Sequence, residues 1–418
     1  LSQGSPAGGR DGRVAPGRDE YRKGAADNLL GAAAVRQRCA VVYAAAERGE
    51  TRHFRLIPDR LEAVAERVAA ITRQRYPDLD VPFHSRWRHF SAGGVDRATP
   101  VASGADRAEA VRARLDLAVV SVLLDAGAGP HWSYREAETG RVLARSEGLA
   151  VAALRAMQAG LFSADPAAPW RADAAPLTAL TEEVLGRAFQ HRAGNELAGL
   201  AGRTALLRRL GQVIAHAPEV FGCPARLGNL YDFWLPRRDR LAAPDMLGTI
   251  LRALGPVWPG RLSLGGVPLG DCGRHSAVPG DGLVPFHKLS QWLVYSLVEP
   301  LVDAGFRIVD LDGLTGLAEY RNGGLFLDAG ALEPRDAALC CQTLDPLAEQ
   351  VVEWRALTVA LLDRLAPRVR ALLGKDEAGF PLMRVLEGGT WAAGRALAAE
   401  RRPDGAPPLT IASDGTWF

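Results

Sequence analysis

The chain is 418 residues long and 48% hydrophobic, enough for a packed core and for two or three domains. Its 50 Lys and Arg stand against 48 Asp and Glu, a net charge of +2, which excludes the strongly basic balance of a nucleic-acid binder. The 5 cysteines form no CxxC pair, which argues against a zinc knuckle or disulfide framework, and no apolar run reaches the ~18 residues of a membrane span, so a cytoplasmic protein with no nucleic-acid and no membrane partner is expected.

Residues 1–27 begin rich in Gly, Pro and Arg, lack the apolar stretch of a secretory signal, and are expected to be disordered. From Leu29, LLGAAAVRQRCAVVYAAAE predicts a helix. RLEAVAERVAAITRQRY, from Arg60, predicts a second, stopped by Pro77. VPFHSRWRHFSAGGVDR is too aromatic and too broken by glycine for a plain helix. Helical patterns resume over 105–125, 146–162, 174–192, 196–216, 286–304, 344–373 and 383–400. Residues 221–282 carry many Gly and Pro, as in FWLPRRDRLAAPD and LSLGGVPLGDCGRHS, and predict long loops with short elements. RIVDLDG and GLFLDAG read as short strands. The expected fold is mostly α, with a few short strands and long central loops. Residues 28–418 make the functional region, divisible into lobes 28–220 and 221–418 with a pocket between them.

Four stretches carry residues suited to chemistry. In RAEAVRARLDLAVVSVLLDAGAGPHW, Val111, Leu115, Ala118, Val119 and Val122 make one helical face, and Leu117, Val120, Leu123 and Leu124 cover most of the rest. A helix apolar nearly all round is buried. Asp125 ends it, and a carboxylate at a helix C-terminus opposes the dipole by about 0.3–1 kcal/mol. Asp125 therefore has either a functional role or a turn-shaping one, accepting bonds from the Gly127 or Gly129 amides. Trp132 follows the glycines as an aromatic wall.

FHSRWRHF gathers His84, Arg86, Trp87, Arg88 and His89. Arginine forks and imidazole donors suit an anion, and the alternative is a solvated basic loop. No metal is expected, because the five-residue spacing of His84 and His89 is not one helix face and no Cys is near. In LVPFHKLSQWLVYSLVEPLVDAG, Phe286, Leu289, Leu293, Leu297 and Leu301 make a core stripe. Lys288, Gln291, Trp292, Tyr295 and Glu299 lie opposite, as a pocket wall or as a second packed face with Lys288 snorkelling out. His287 adjoins them, and Asp271 and His275 lie just upstream. Finally, LTGLAEYRNGGLFLDAG places Glu319, Tyr320 and Arg321 between apolar flanks, either as a pocket rim or as a surface ion pair worth about 0–1 kcal/mol.

LLGAAAVRQRC, RYPDLDVPFHSRWRHFSAGGVDR, SEGLAVAALRAMQAGLF, GLVPFHKLSQWLVYSLVEPL and LTGLAEYRNGGLFLDAG together resemble the uracil catabolism protein 4 family, from about residue 28 onward. That resemblance implies work on a ribosylurea-type intermediate of pyrimidine breakdown. LLDAGAGPHW and LAEYR are also similar to the queuosine salvage protein family, helical DNA-glycosylase-like enzymes that cleave an N-glycosidic bond. Glu319 stands where that family carries Asp, and Asn322-Gly323-Gly324 replaces its Pro segment.

The queuosine salvage resemblance implies a helical DNA-glycosylase-like bundle, and the two resemblances together imply hydrolysis of the C–N bond of ribosylurea or its 5′-phosphate with release of urea, without cofactor. Glu319 would then be the water-activating or charge-stabilising carboxylate and Asp125 its partner. Arg321 would hold a carboxylate or phosphate. Lys288, His287, Arg86 and Arg88 are phosphate candidates, and Trp132, Trp292 and Tyr295 would form the wall. The expected partner is a small ribosyl or nucleotide-derived molecule. The alternatives are a non-catalytic nucleotide-binding or scaffold protein, and an amidohydrolase attacking the urea carbonyl, for which Cys272 with His275 is the available nucleophile pair.

Overall fold

A computed structural model describes residues 24–258 and 262–412. The stretch expected to be disordered lies outside these residues up to position 23, and residues 24–27 form a helical turn. The fold is mostly α, and its strands are short and pair only two by two among the described residues. The described helices of nine or more residues are α1 (Ala32–Glu47), α2 (Leu61–Arg75), α3 (Arg107–Leu123), α4 (Arg145–Gln158), α5 (Leu200–Ala215), α6 (Ala243–Leu254), α7 (Lys288–Asp303), α8 (Tyr320–Asp328), α9 (Glu349–Leu373) and α10 (Trp391–Arg401). None of the described helices is long and apolar enough to cross a membrane.

Three packed groups build the core. The 25-residue α9 lies against α1 and α2, α3 packs on α7, and α7 on its other side meets α6. The α3 pattern predicts burial all round, and Val111, Leu115, Leu117, Val119, Val120, Val122 and Leu123 are all buried. Each such side chain contributes about 1.5–3 kcal/mol. Asp106 starts this helix by accepting the Glu109 amide at 2.9 Å. Helix α7 is likewise buried on both sides, so its polar residues Gln291, Tyr295 and Ser296 sit among packed neighbours instead of forming one wall.

Three expectations are corrected. GLFLDAG is not a strand, because it lies in α8 and at its C-terminal end. A short apolar run does not separate strand from helix by periodicity, and here the Glu319 cap starts a helix. RIVDLDG does hold a strand, Ile308–Val309, parallel to Leu241–Ala242. The central loops contain α6, where Pro244 occupies the first turn and Met246, Leu247, Ile250, Leu251 and Leu254 are buried. Residues 174–192 hold two short helices, Ala174–Ala179 and Glu182–Ala188, the second capped by Thr181.

Toward the C-terminus, Leu382–Val385, a π-turn at Leu386–Thr390 and α10 follow one another without a break. Glycines set how closely this rod passes its neighbours. A Cβ at Gly389 would lie 2.5 Å from the Val68 carbonyl oxygen of α2, and one at Gly394 would overlap the Arg321 carbonyl oxygen of α8. Gly394→Ala is therefore expected to cost about 1–3 kcal/mol by overpacking, measured by chemical denaturation. A loss under about 0.5 kcal/mol would mean that the two helices slide apart freely.

Candidate functional site

A cavity of about 560 Å³ collects residues from seven separate parts of the chain. Arg75 ends α2, while His84, Arg88 and His89 come from the loop that contains the single turn Trp87–Phe90. Asp125 follows α3, and Arg145, Ser146 and Glu147 open α4. Lys288 and Trp292 lie at the start of α7, Glu319 and Tyr320 at the start of α8, and Glu387, Trp391 and Arg395 on the C-terminal rod. A cavity of about 600 Å³ lined by Arg209, His216, Phe233 and Arg252 opens elsewhere and gathers none of the candidate residues.

Asp125 is held by a buried cation and not by the Gly127 or Gly129 amides. The Arg86 guanidinium lies 2.8 Å from Asp125 Oδ1 and is fully buried. Its Nε donates to Ser121 at 2.8 Å, and its backbone N–H donates to Ser296 at 3.0 Å. Burial pushes the Arg86 pKa down, and the Asp125 charge opposes this. A second buried arginine, Arg203, donates to the carbonyls of Leu124, Ala126 and Gly127 just after α3. Its charge offsets the negative end of the helix dipole where Asp125 stands.

Glu319 is the N-cap of α8. Oε2 accepts the Arg321 amide at 2.7 Å and Oε1 accepts the Asn322 amide at 2.6 Å. Burial pushes its pKa up, while those amides and the nearby Lys288 charge pull it down, and the net shift is upward. Lys288 is only 9% exposed, and its ammonium has no hydrogen-bond acceptor among the described residues. Burial lowers its pKa, and the charges of Glu319 and Asp125 raise it. Its backbone N–H donates to Asp271 at 2.9 Å.

His84 Nδ1 lies 2.8 Å from Glu387 Oε2, and its ring rests 4.7 Å from that of Trp292. His89 sits beside them. Burial, and then the Arg86 charge, push its pKa down to about 4. Between that value and the ordinary 6.5 the unfolded chain binds a proton that the folded protein refuses, so stability falls as pH drops through this window. The midpoint of thermal unfolding is expected to decline from pH 6.5 to 4, and His89→Gln to decline less steeply. Equal slopes would remove His89 as the cause.

The cavity therefore brings together Asp125, Glu319, Tyr320, His84, Arg88, His89, Lys288 and Trp292. The other candidates lie elsewhere, each for a packing reason. Trp87 donates to the Ser296 carbonyl at 2.8 Å from the core. Trp132 donates to the Phe189 carbonyl at 2.8 Å and stacks on that ring. His287 meets the Leu29 carbonyl at 2.8 Å, and Tyr295 donates to the Thr315 carbonyl at 2.8 Å. Arg321 donates to the Gly405 carbonyl at 2.9 Å and holds no carboxylate among the described residues. Asp271 takes a two-pronged bond from Arg355 at 2.7 and 2.8 Å, and His275 lies 3.0 Å from Glu353. Cys272 is buried with its thiol pushed up to about 12, so it is no ready nucleophile.

Arg75, Arg145, Glu147, Glu387, Trp391 and Arg395 line the cavity without having been singled out from the sequence. Arg145 adopts the left-handed region at φ 54°, a strained conformation of the kind that collects at functional sites. The acid followed by two glycines at Glu387 was the available signal for the π-turn.

A family model described as "Protein of unknown function (DUF1688)" matches residues 28–418. The chain is 39% identical over 402 residues to "Protein urg3" of Schizosaccharomyces pombe, covering 93% of this chain and 98% of that one. It is 36% identical over 411 residues to "Uracil catabolism protein 4" of Lachancea kluyveri, covering 88% of this chain and 93% of that one.

Proposed function

Because the chain belongs to the DUF1688 family, with a uracil catabolism protein among its relatives, we propose that it acts in uracil catabolism as an N-glycosidase, hydrolysing the C–N bond of ribosylurea or its 5′-phosphate to release urea. The supporting observation is that two carboxylates, Asp125 and Glu319, meet one cavity that also holds a buried lysine and three aromatic side chains.

Breaking a bond at the anomeric carbon develops oxocarbenium character, which a fixed carboxylate stabilises. Each Glu319 oxygen is engaged by a backbone amide, so this group is immobile and suits charge stabilisation. Asp125 meets Arg86 through Oδ1, which leaves Oδ2 for a water. That water attacks the anomeric carbon and passes its proton to Asp125. Lys288 donates to a ribose hydroxyl, and Trp292, Tyr320 and Trp391 wall the sugar. Arg145 and Arg395 are exposed, line the cavity and have no carboxylate partner among the described residues, so a 5′-phosphate would lie between them. A helical DNA-glycosylase-like architecture, as in the queuosine salvage family, accords with this chemistry.

The test incubates the purified protein with ribosylurea and with its 5′-phosphate and follows free urea by a coupled assay. Urea is expected, and the double charge reversal Arg145→Glu/Arg395→Glu is expected to raise KM about 10–100-fold for the phosphorylated compound alone. No urea from either compound, with folded protein, would overturn the hydrolase reading in favour of a non-catalytic nucleotide-binding protein.

A further inference from the structure

Urea is a poor leaving group as an anion and must be protonated as it departs. Neither carboxylate assigned above supplies that proton, since Asp125 receives one from water and Glu319 is engaged by two amides. We propose that His84, oriented by Glu387, is the general acid that protonates the departing urea nitrogen. The proposal rests on the N-glycosidase reading and adds a catalytic residue to it.

The geometry is that of a carboxylate–histidine pair aimed at a cavity. Glu387 Oε2 lies 2.8 Å from His84 Nδ1, and both residues line the pocket. Glu387 is itself held in place, because Oε1 accepts from the Tyr76 hydroxyl at 3.2 Å and from Arg75 at 3.2 Å. The backbone of His84 is tied to the same rod, its N–H donating to the Met383 carbonyl at 3.0 Å. The Trp292 ring packs against the imidazole and fixes its plane. With Nδ1–H committed to Glu387, Nε2 is the nitrogen left for a ligand, and it has no hydrogen-bond partner among the described residues.

The local backbone supports this arrangement. Glu387 stands in the π-turn, and π-turns are frequent at functional sites. Gly388 and Gly389 let that turn lie directly on Thr72 and Val68, which carries Glu387 toward the end of α2.

The step balances. The C–N bond breaks with both electrons moving to nitrogen, and the Nε2 proton of imidazolium moves to that nitrogen, giving neutral urea. Water oxygen bonds to the anomeric carbon, and its proton goes to Asp125. Solvent then reprotonates His84 and deprotonates Asp125. The Glu387 carboxylate stands against the imidazolium and, once the proton has left, holds the neutral ring in its Nδ1–H tautomer, as a triad carboxylate does.

The test compares two leaving groups. Ribosylurea needs a proton on its departing nitrogen, whereas 4-nitrophenyl riboside releases a stable phenolate without one. His84→Asn is expected to lower kcat on ribosylurea about 10²–10⁴-fold and to spare most of the activity on the nitrophenyl compound. Glu387→Gln, which keeps the shape, is expected to show the same pattern more weakly. Equal losses on both compounds, or no loss, would overturn the assignment and make His84 a packing residue.

The pH profile gives a second readout that needs only ribosylurea. The acid must be protonated, so kcat/KM falls as pH rises, and His84→Asn removes that limb. Glu387, Arg75 and Tyr76, Arg88 and His89, Lys288 and Glu319 all face the imidazole or its cavity, so the limb belongs to His84 only if the variant abolishes it. A limb that survives in His84→Asn would overturn the proposal while leaving the N-glycosidase reading intact. Failure of the wild-type protein on both compounds would instead end the reading on which it rests.

Discussion

Asp125→Asn is expected to reduce kcat for urea release about 10²–10⁴-fold with little change in KM. The substitution keeps shape and volume and removes only the charge. In the native protein Oδ1 faces Arg86 at 2.8 Å, so the carboxylate is held in position before substrate arrives. An amide in the same place binds a water but does not take its proton, so the loss falls on the chemical step. Steady-state kinetics on ribosylurea, with Glu319→Gln in parallel, separate the two carboxylates. A variant within about threefold of wild type would remove Asp125 from the chemistry and leave it as the anchor of Arg86. Loss in Glu319→Gln alone would move the water-activating role to α8.

The second large effect is on stability. Arg86→Met is expected to cost about 3–5 kcal/mol, because it strands the Asp125 charge in a site from which water is mostly excluded. Arg86 is fully buried, and Asp125 shows a side-chain exposure of only 10%. Adding Asp125→Leu removes the second charge, and the double variant should regain most of the lost stability while remaining inactive. Denaturation midpoints of the two single variants and the double variant close the cycle. Additive losses would mean that the two groups do not act as a pair, and that Arg86 serves only its bonds to Ser121 and the packing around it.

The sequence made some of this site legible and hid the rest for physical reasons. Asp125 stood out because a carboxylate after an apolar helix is a local anomaly, and the anomaly held. What resolves it, Arg86 and Arg203, lies 39 residues before and 78 after, and no local pattern joins them. The FHSRWRHF cluster was visible as a unit, yet its side chains divide, with His84, Arg88 and His89 on the cavity, Trp87 in the core and Arg86 beneath Asp125. Periodicity placed Lys288 and Trp292 on one face of α7, and both reach the cavity. It placed Tyr295 there too, but Thr315 takes its hydroxyl on the other side. Glu387 and Arg395 escaped because their role arises only when the C-terminal rod packs on α2 and α8. The helical pattern was readable there, but the glycines that permit the close approach look like breakers in one dimension.

The pairing of α10 with the rest has a consequence for how the protein comes into being. Arg75 and Arg395 border the same cavity, and the intervening chain supplies every other wall. During synthesis the N-terminal side emerges first, carrying Asp125 and its arginines with one flank open. The flank closes only when the rod bearing Glu387, Trp391 and Arg395 has left the ribosome and settled on α2 and α8. A chain cut before the rod thus holds Asp125 and Glu319 without the flank that Glu387, Trp391 and Arg395 supply. The cavity gains the last of its walls only with this rod, long after the segment that carries Asp125 and its arginines.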